Sequence, residues 1–115
     1  LVIDDDPAFR TVFRAVLGRF ADEVVEASDA TSALTWLRQH TPSVIFLDLR
    51  LPGMDGAILL TRLGEDETLR RVPVVIVTAR ELDHHDRERL GPAAATVSKS
   101  ALTPETLSDL LGRLG

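Results

Sequence analysis

Along the whole chain, short apolar runs alternate with longer stretches in which apolar residues recur every three or four positions. Leu1-Val2-Ile3 is the first run, stopped by Asp4-Asp5-Asp6-Pro7. Phe9, Val12, Phe13, Val16, Leu17 and Phe20 follow at helical spacing. Asp6 is placed to cap that helix and Pro7 to occupy its first position, where a missing N–H costs nothing. Gly18 falls late in the helix and weakens its end. Glu23-Val24-Val25-Glu26-Ala27 reads as a second strand. Ser28 or Asp29 caps a second helix with Ala33, Leu34 and Leu37 on one face, ending near His40 and Pro42. Val44-Ile45-Phe46-Leu47 is the third strand, and Pro52-Gly53 a turn. Asp55 and Gly56 act as turn and cap before a third helix bearing Ile58, Leu59, Leu60 and Leu63. Pro73-Val74-Val75-Ile76-Val77 is apolar on both faces, as a central parallel strand is. The charged stretch 81–90 predicts a fourth helix that is short and weakly amphipathic. Ala94-Ala95-Thr96-Val97-Ser98 is the fifth strand, and Thr103-Pro104-Glu105 starts a fifth helix with Leu107, Leu110, Leu111 and Leu114 as its stripe.

Five strands alternating with five helices predict an α/β domain with a parallel sheet and right-handed crossovers. In such sheets the site lies beyond the carboxyl ends of the strands. The residues there are Asp4 and Asp5, Asp48, Thr78 and Lys99. If the strand order is 2-1-3-4-5, the three acids converge, and like charges a few ångströms apart repel. An unpartnered buried carboxylate such as Asp48 is costly, so a hard divalent cation is the natural remedy. Mg²⁺ suits one or two carboxylates together with carbonyls, waters and phosphate oxygens. Acids, a hydroxyl and an ammonium around one pocket suit phosphoryl transfer, in which a carboxylate can itself be the nucleophile.

Composition narrows the classes. At 115 residues the chain makes one domain, and no cysteine is present for disulfides, thiol catalysis or cysteine-bound zinc. That is compatible with a reducing cytoplasm. A net charge of −5, with no Lys/Arg cluster long enough to neutralise several phosphates, argues against direct nucleic-acid binding by this domain. No apolar stretch is long enough for a membrane span. Lys99 is the only lysine. The chain opens at Leu1, already inside a strand-like run, so residues 1–115 are expected to be a domain excised from a longer polypeptide.

Leu1 to Pro7, Leu47-Asp48-Leu49-Arg50-Leu51-Pro52-Gly53-Met54-Asp55-Gly56, Val75-Ile76-Val77-Thr78-Ala79 and Ser98-Lys99, in this order, resemble the receiver domain of bacterial two-component response regulators. The resemblance implies a flavodoxin-like (βα)5 doubly wound sheet and a cytoplasmic switch that phosphorylates and dephosphorylates itself. Asp48 would accept a phosphoryl group from the phosphohistidine of a histidine kinase or phosphotransfer domain. Asp5 would be the main Mg²⁺ ligand, Asp4 would act partly through water, and Asp48 and the Arg50 backbone carbonyl would complete the protein ligands. Thr78 and Lys99 would each contact a phosphoryl oxygen. A homodimer through the fourth helix, fifth strand and fifth helix is left open. The stretch Ser98 to Glu105 resembles receivers at the ends of hybrid sensor histidine kinases. A pseudo-receiver that docks constitutively is the alternative. A haloacid-dehalogenase-type phosphohydrolase would need a second Asp where Arg50 stands.

Two positions depart from the family. Ser100 follows Lys99 where proline is usual, so a trans bond and a different loop are expected. Thr96 replaces the aromatic whose rotamer reports phosphorylation. Arg50 and Arg80, two residues beyond Asp48 and Thr78, are expected to shield Asp48 from hydrolytic water. His84-His85 reads as a solvated face, His40 as a residue favoured by a helix C-terminus, and Trp36 as cover for a helix–sheet edge.

Overall fold

The central strands are apolar on both faces because both faces of the sheet are covered there. In the computed structural model, which describes residues 1–79 and 81–114, five parallel strands form one sheet. They are β1 (Val2–Ile3), β2 (Glu26–Ala27), β3 (Ile45–Asp48), β6 (Val74–Thr78) and β7 (Ala95–Ser98). Their order is β2-β1-β3-β6-β7, which is 2-1-3-4-5 when only these five are counted. The doubly wound architecture expected from the alternation is the one observed. Successive side chains of a strand point to opposite faces. Val2, Phe46, Val75 and Val77 accordingly pack with Phe13 and Leu17 of α1 (Pro7–Leu17) and with Leu107 and Leu110 of α5 (Pro104–Leu114). Ile3, Ile45, Leu47 and Ile76 pack on the other side. There they meet Ala33 and Leu37 of α2 (Ala30–Leu37) and Leu59, Leu60 and Leu63 of α3 (Gly56–Glu65). Each large apolar side chain buried in this way contributes about 1.5–3 kcal/mol.

Asp6, Asp29 and Asp55 cap the first three helices, as their positions in the sequence predict. Asp6 accepts from the N–H groups of Ala8 and Phe9, with Pro7 opening α1. Asp29, rather than Ser28, caps α2 by accepting from the Ser32 N–H at 2.7 Å. Several boundaries differ. The second strand is shorter than 23–27, and α2 stops at Leu37, short of His40. Ile58 is 48% exposed, on the outer side of α3. The fourth helix, α4 (His84–Arg89), is short and charged, as the composition dictates. The Pro52-Gly53 turn closes a small antiparallel ladder of β4 (Arg50–Leu51) and β5 (Met54–Asp55). Gly53 has φ +72°, the left-handed value that the Pro-Gly order of a type II turn requires. No described helix is long and apolar enough to cross a membrane.

Candidate functional site

The carboxyl ends of β1, β3, β6 and β7 share one edge of the sheet, and all five residues read from the strand ends lie along it. Asp4 follows β1 and is 1% exposed; Asp5 beside it faces solvent. Asp48 is the last residue of β3 and Thr78 the last of β6, both buried. Thr78 is in register with Ser98, the residue before Lys99, which begins a 3-10 turn over Lys99–Ala101. Asp4, Asp5 and Asp48 each offer a carboxylate oxygen, and these atoms all lie within 4.8 Å of one another. Nζ of Lys99 stands 2.8 Å from Oδ2 of Asp4 and 3.7 Å from Oδ2 of Asp48.

The hydrogen bonds show how the acids are held. Oδ1 of Asp4 accepts the Asp6 N–H at 2.9 Å, which joins the first acid to the cap of α1. Its Oδ2 is buried and pairs with the Lys99 ammonium at 2.8 Å. A buried carboxylate with two more acids whose oxygens lie within 4.8 Å fits a cation ligand set. Burial is the main reason the Asp48 pKa is raised. The charges of Asp4 and Asp5 add to it, against the opposing pull of Lys99 and the Arg50 N–H. For Lys99, burial works against the charge, but Asp4, Asp48 and Asp6 together outweigh it and hold its pKa above the ordinary value.

Arg50 opens β4 with its side chain in solvent, and its N–H approaches Oδ1 of Asp48 at 3.4 Å. Arg80 lies outside the described residues. No described peptide bond is cis, so Lys99–Ser100 is trans as expected, and Thr96 points into solvent.

The comparisons identify the architecture. The model of the response regulator receiver domain matches residues 1–109. The chain belongs to that family. A curated relative, the polar-differentiation response regulator DivK of Brucella ovis, is 28% identical over 116 residues, covering 100% of this chain and 94% of DivK. Among solved structures, the receiver domain of a sensor histidine kinase from Pseudomonas aeruginosa is 28% identical, with a TM-score of 0.86 over 98% of this chain and 93% of that one. That protein carries a magnesium ion coordinated in its active-site cleft. The receiver domain of NtrX from Brucella abortus is 25% identical, with a TM-score of 0.85 over 98% and 94% of the two chains.

Several contacts of this receiver escape sequence reasoning. Nη1 of Arg10 donates to the Asp4 carbonyl at 2.6 Å, while its Nε reaches Glu26 at 3.2 Å, tying α1 to the acidic loop and to β2. A Cβ on Gly56 would sit 2.4 Å from the Asp48 carbonyl oxygen, so the start of α3 lies directly against the backbone of the central acid. Asp55 caps α3 through the Ala57 N–H, as read, but its other oxygen pairs with Arg89 of α4 at 2.9 Å. None of these has a sequence signal, because each depends on which elements pack together. His84 pairs with Glu88 in solvent. Trp36 packs on the core and stacks on His40 with centroids 4.5 Å apart.

Proposed function

We propose that this receiver accepts a phosphoryl group on Asp48 from the phosphohistidine of a histidine kinase or phosphotransfer partner. The observation that carries the reading is the convergence of Asp4, Asp5 and Asp48 within 4.8 Å, with Lys99 alongside. An oxygen of Asp48 attacks phosphorus in line. The new O–P bond forms as the N–P bond to the imidazole breaks, and the imidazole takes the electron pair. Asp5, Asp4, Asp48 and the Arg50 carbonyl would hold Mg²⁺, which when bound would neutralise charge on the transferring phosphoryl oxygens. Lys99 and the Thr78 hydroxyl would each contact one of those oxygens. Water later hydrolyses the acyl phosphate. The phosphorylated form binds Thr78 and Lys99 differently from the free form, and that difference shifts the conformational population. The intact constellation speaks against constitutive docking as a pseudo-receiver.

Incubation with Mg²⁺ and a small phosphodonor, read by mass spectrometry, tests the proposal. The native domain is expected to gain one phosphoryl group and Asp48→Asn none. Absence of uptake by the native protein, or uptake elsewhere in the chain, would sink it.

A further inference from the structure

The ammonium of Lys99 has a third neighbour besides its two acids. It lies over the face of the Phe9 ring, 4.4 Å from the centroid, inside the range at which the ring quadrupole attracts a cation. Phe9 is itself fixed from behind. Its ring stacks on Phe13 at 5.3 Å, and Phe13 meets Phe46 edge-on at 4.9 Å. Three of the chain's four phenylalanines thus run from Lys99 into the sheet, reaching β3 two residues before Asp48.

We propose that Phe9 is a positioning residue for Lys99, the face on which its ammonium stays when a divalent cation takes the acids. The inference rests on the phosphoacceptor reading above. Lys99 pairs with Asp4 and lies 3.7 Å from Asp48. A cation in the acidic cluster draws on those same oxygens and repels the ammonium. An aliphatic neighbour would then let the four-carbon stem swing into water. The ring is neutral, offers no oxygen to the metal and still attracts the ammonium. It therefore keeps the positive charge beside Asp48, where phosphoryl oxygen charge develops, without competing for the metal.

Lys99 being the only lysine, selective labelling gives one side-chain signal, and amine methylation reports one ε-amine, whose signal is distinct from that of an α-amine. In the native domain the Lys99 ε-methylene signal is expected to show a ring-current displacement that persists when Mg²⁺ saturates the site. Loss of that displacement on adding Mg²⁺ overturns the proposal, and this measurement needs no variant. With Mg²⁺ present, Phe9→Leu is expected to methylate faster at Lys99. It is also expected to take up phosphoryl from a small donor roughly 3- to 30-fold more slowly, the size a cation–π contact supports. Phe9→Tyr, which keeps the ring, restores both. Thermal melts check that the variants fold, and Phe9→Met replaces Phe9→Leu if the latter does not. Native-like behaviour of the ring-less variant, or failure of Tyr to restore both readouts, overturns the proposal. A native domain that takes up no phosphoryl group overturns the phosphoacceptor reading instead, and the native Lys99 signal still reports on Phe9 by itself.

Discussion

Asp4 and Asp5 are adjacent, yet their surroundings give them different work. Asp4 is buried, accepts the Asp6 N–H and pairs with Lys99, so it helps hold the loop as well as line the site. Asp5 is exposed, and Asp48 lies between these extremes as an acid whose ionised form is disfavoured by burial and by its two acidic neighbours. Because its pKa is raised above 3.8 in the folded domain, the native state there binds more protons than the unfolded chain. Stability from this residue is therefore largest below the unfolded value and is lost as pH rises through the folded one. An Asn in the same place has no charge to bury. Asp48→Asn is expected to melt above the native domain in metal-free buffer near neutral pH, with the advantage shrinking as pH falls through the carboxylate range. Thermal melts across that range check it; a variant that melts lower near neutral pH, or a gap indifferent to pH, contradicts it.

At the level of elements, the site is an accident-proof product of strand ends only as long as the helices hold the loops in place. Asp6 links both, since it caps α1 while its own N–H binds Asp4. Asp6→Ala is expected to cost about 1 kcal/mol in urea unfolding, the usual worth of an N-cap. Gly56→Ala pushes a Cβ against the Asp48 carbonyl and is expected to cost about 1–3 kcal/mol and to slow phosphoryl uptake at Asp48. Neutral stability and an unchanged rate would show that α3 can retreat freely. The contrast between these two positions shows what the sequence makes legible. Asp6 before Pro7, the apolar run ending at Asp48 and the leucine stripe of α5 are local patterns set by period and capping, and the structure matches them. The close approach of Gly56, the grip of Arg10 on Asp4 and the Asp55–Arg89 pair are long-range consequences of packing, and no local pattern encodes them. β2 is shorter than its apolar pattern for a related reason: at a sheet edge, pairing partners rather than propensity decide where a strand stops.

For the molecule as a whole, the chain has a net charge of −5, and three of its acids are brought to one edge of the sheet. Folding thus assembles mutual repulsion that a single ammonium, Lys99, offsets only in part. Anything that neutralises the cluster and binds only the folded state adds to stability by mass action. At 100 times its dissociation constant such a cation contributes about 2.7 kcal/mol, on the order of a 10 °C rise in midpoint for a domain of this size. Mg²⁺ is therefore expected to raise the melting temperature in a saturable manner, while the same ionic strength of NaCl does not. Asp5→Asn separates this from general screening. Its side chain lies in solvent, so the variant is expected to melt close to the metal-free native domain and to lose most of the Mg²⁺-dependent rise. A rise that NaCl reproduces, or one that survives intact in Asp5→Asn, would mean that the acidic edge is relieved by diffuse counter-ions rather than by a cation held between Asp4, Asp5 and Asp48.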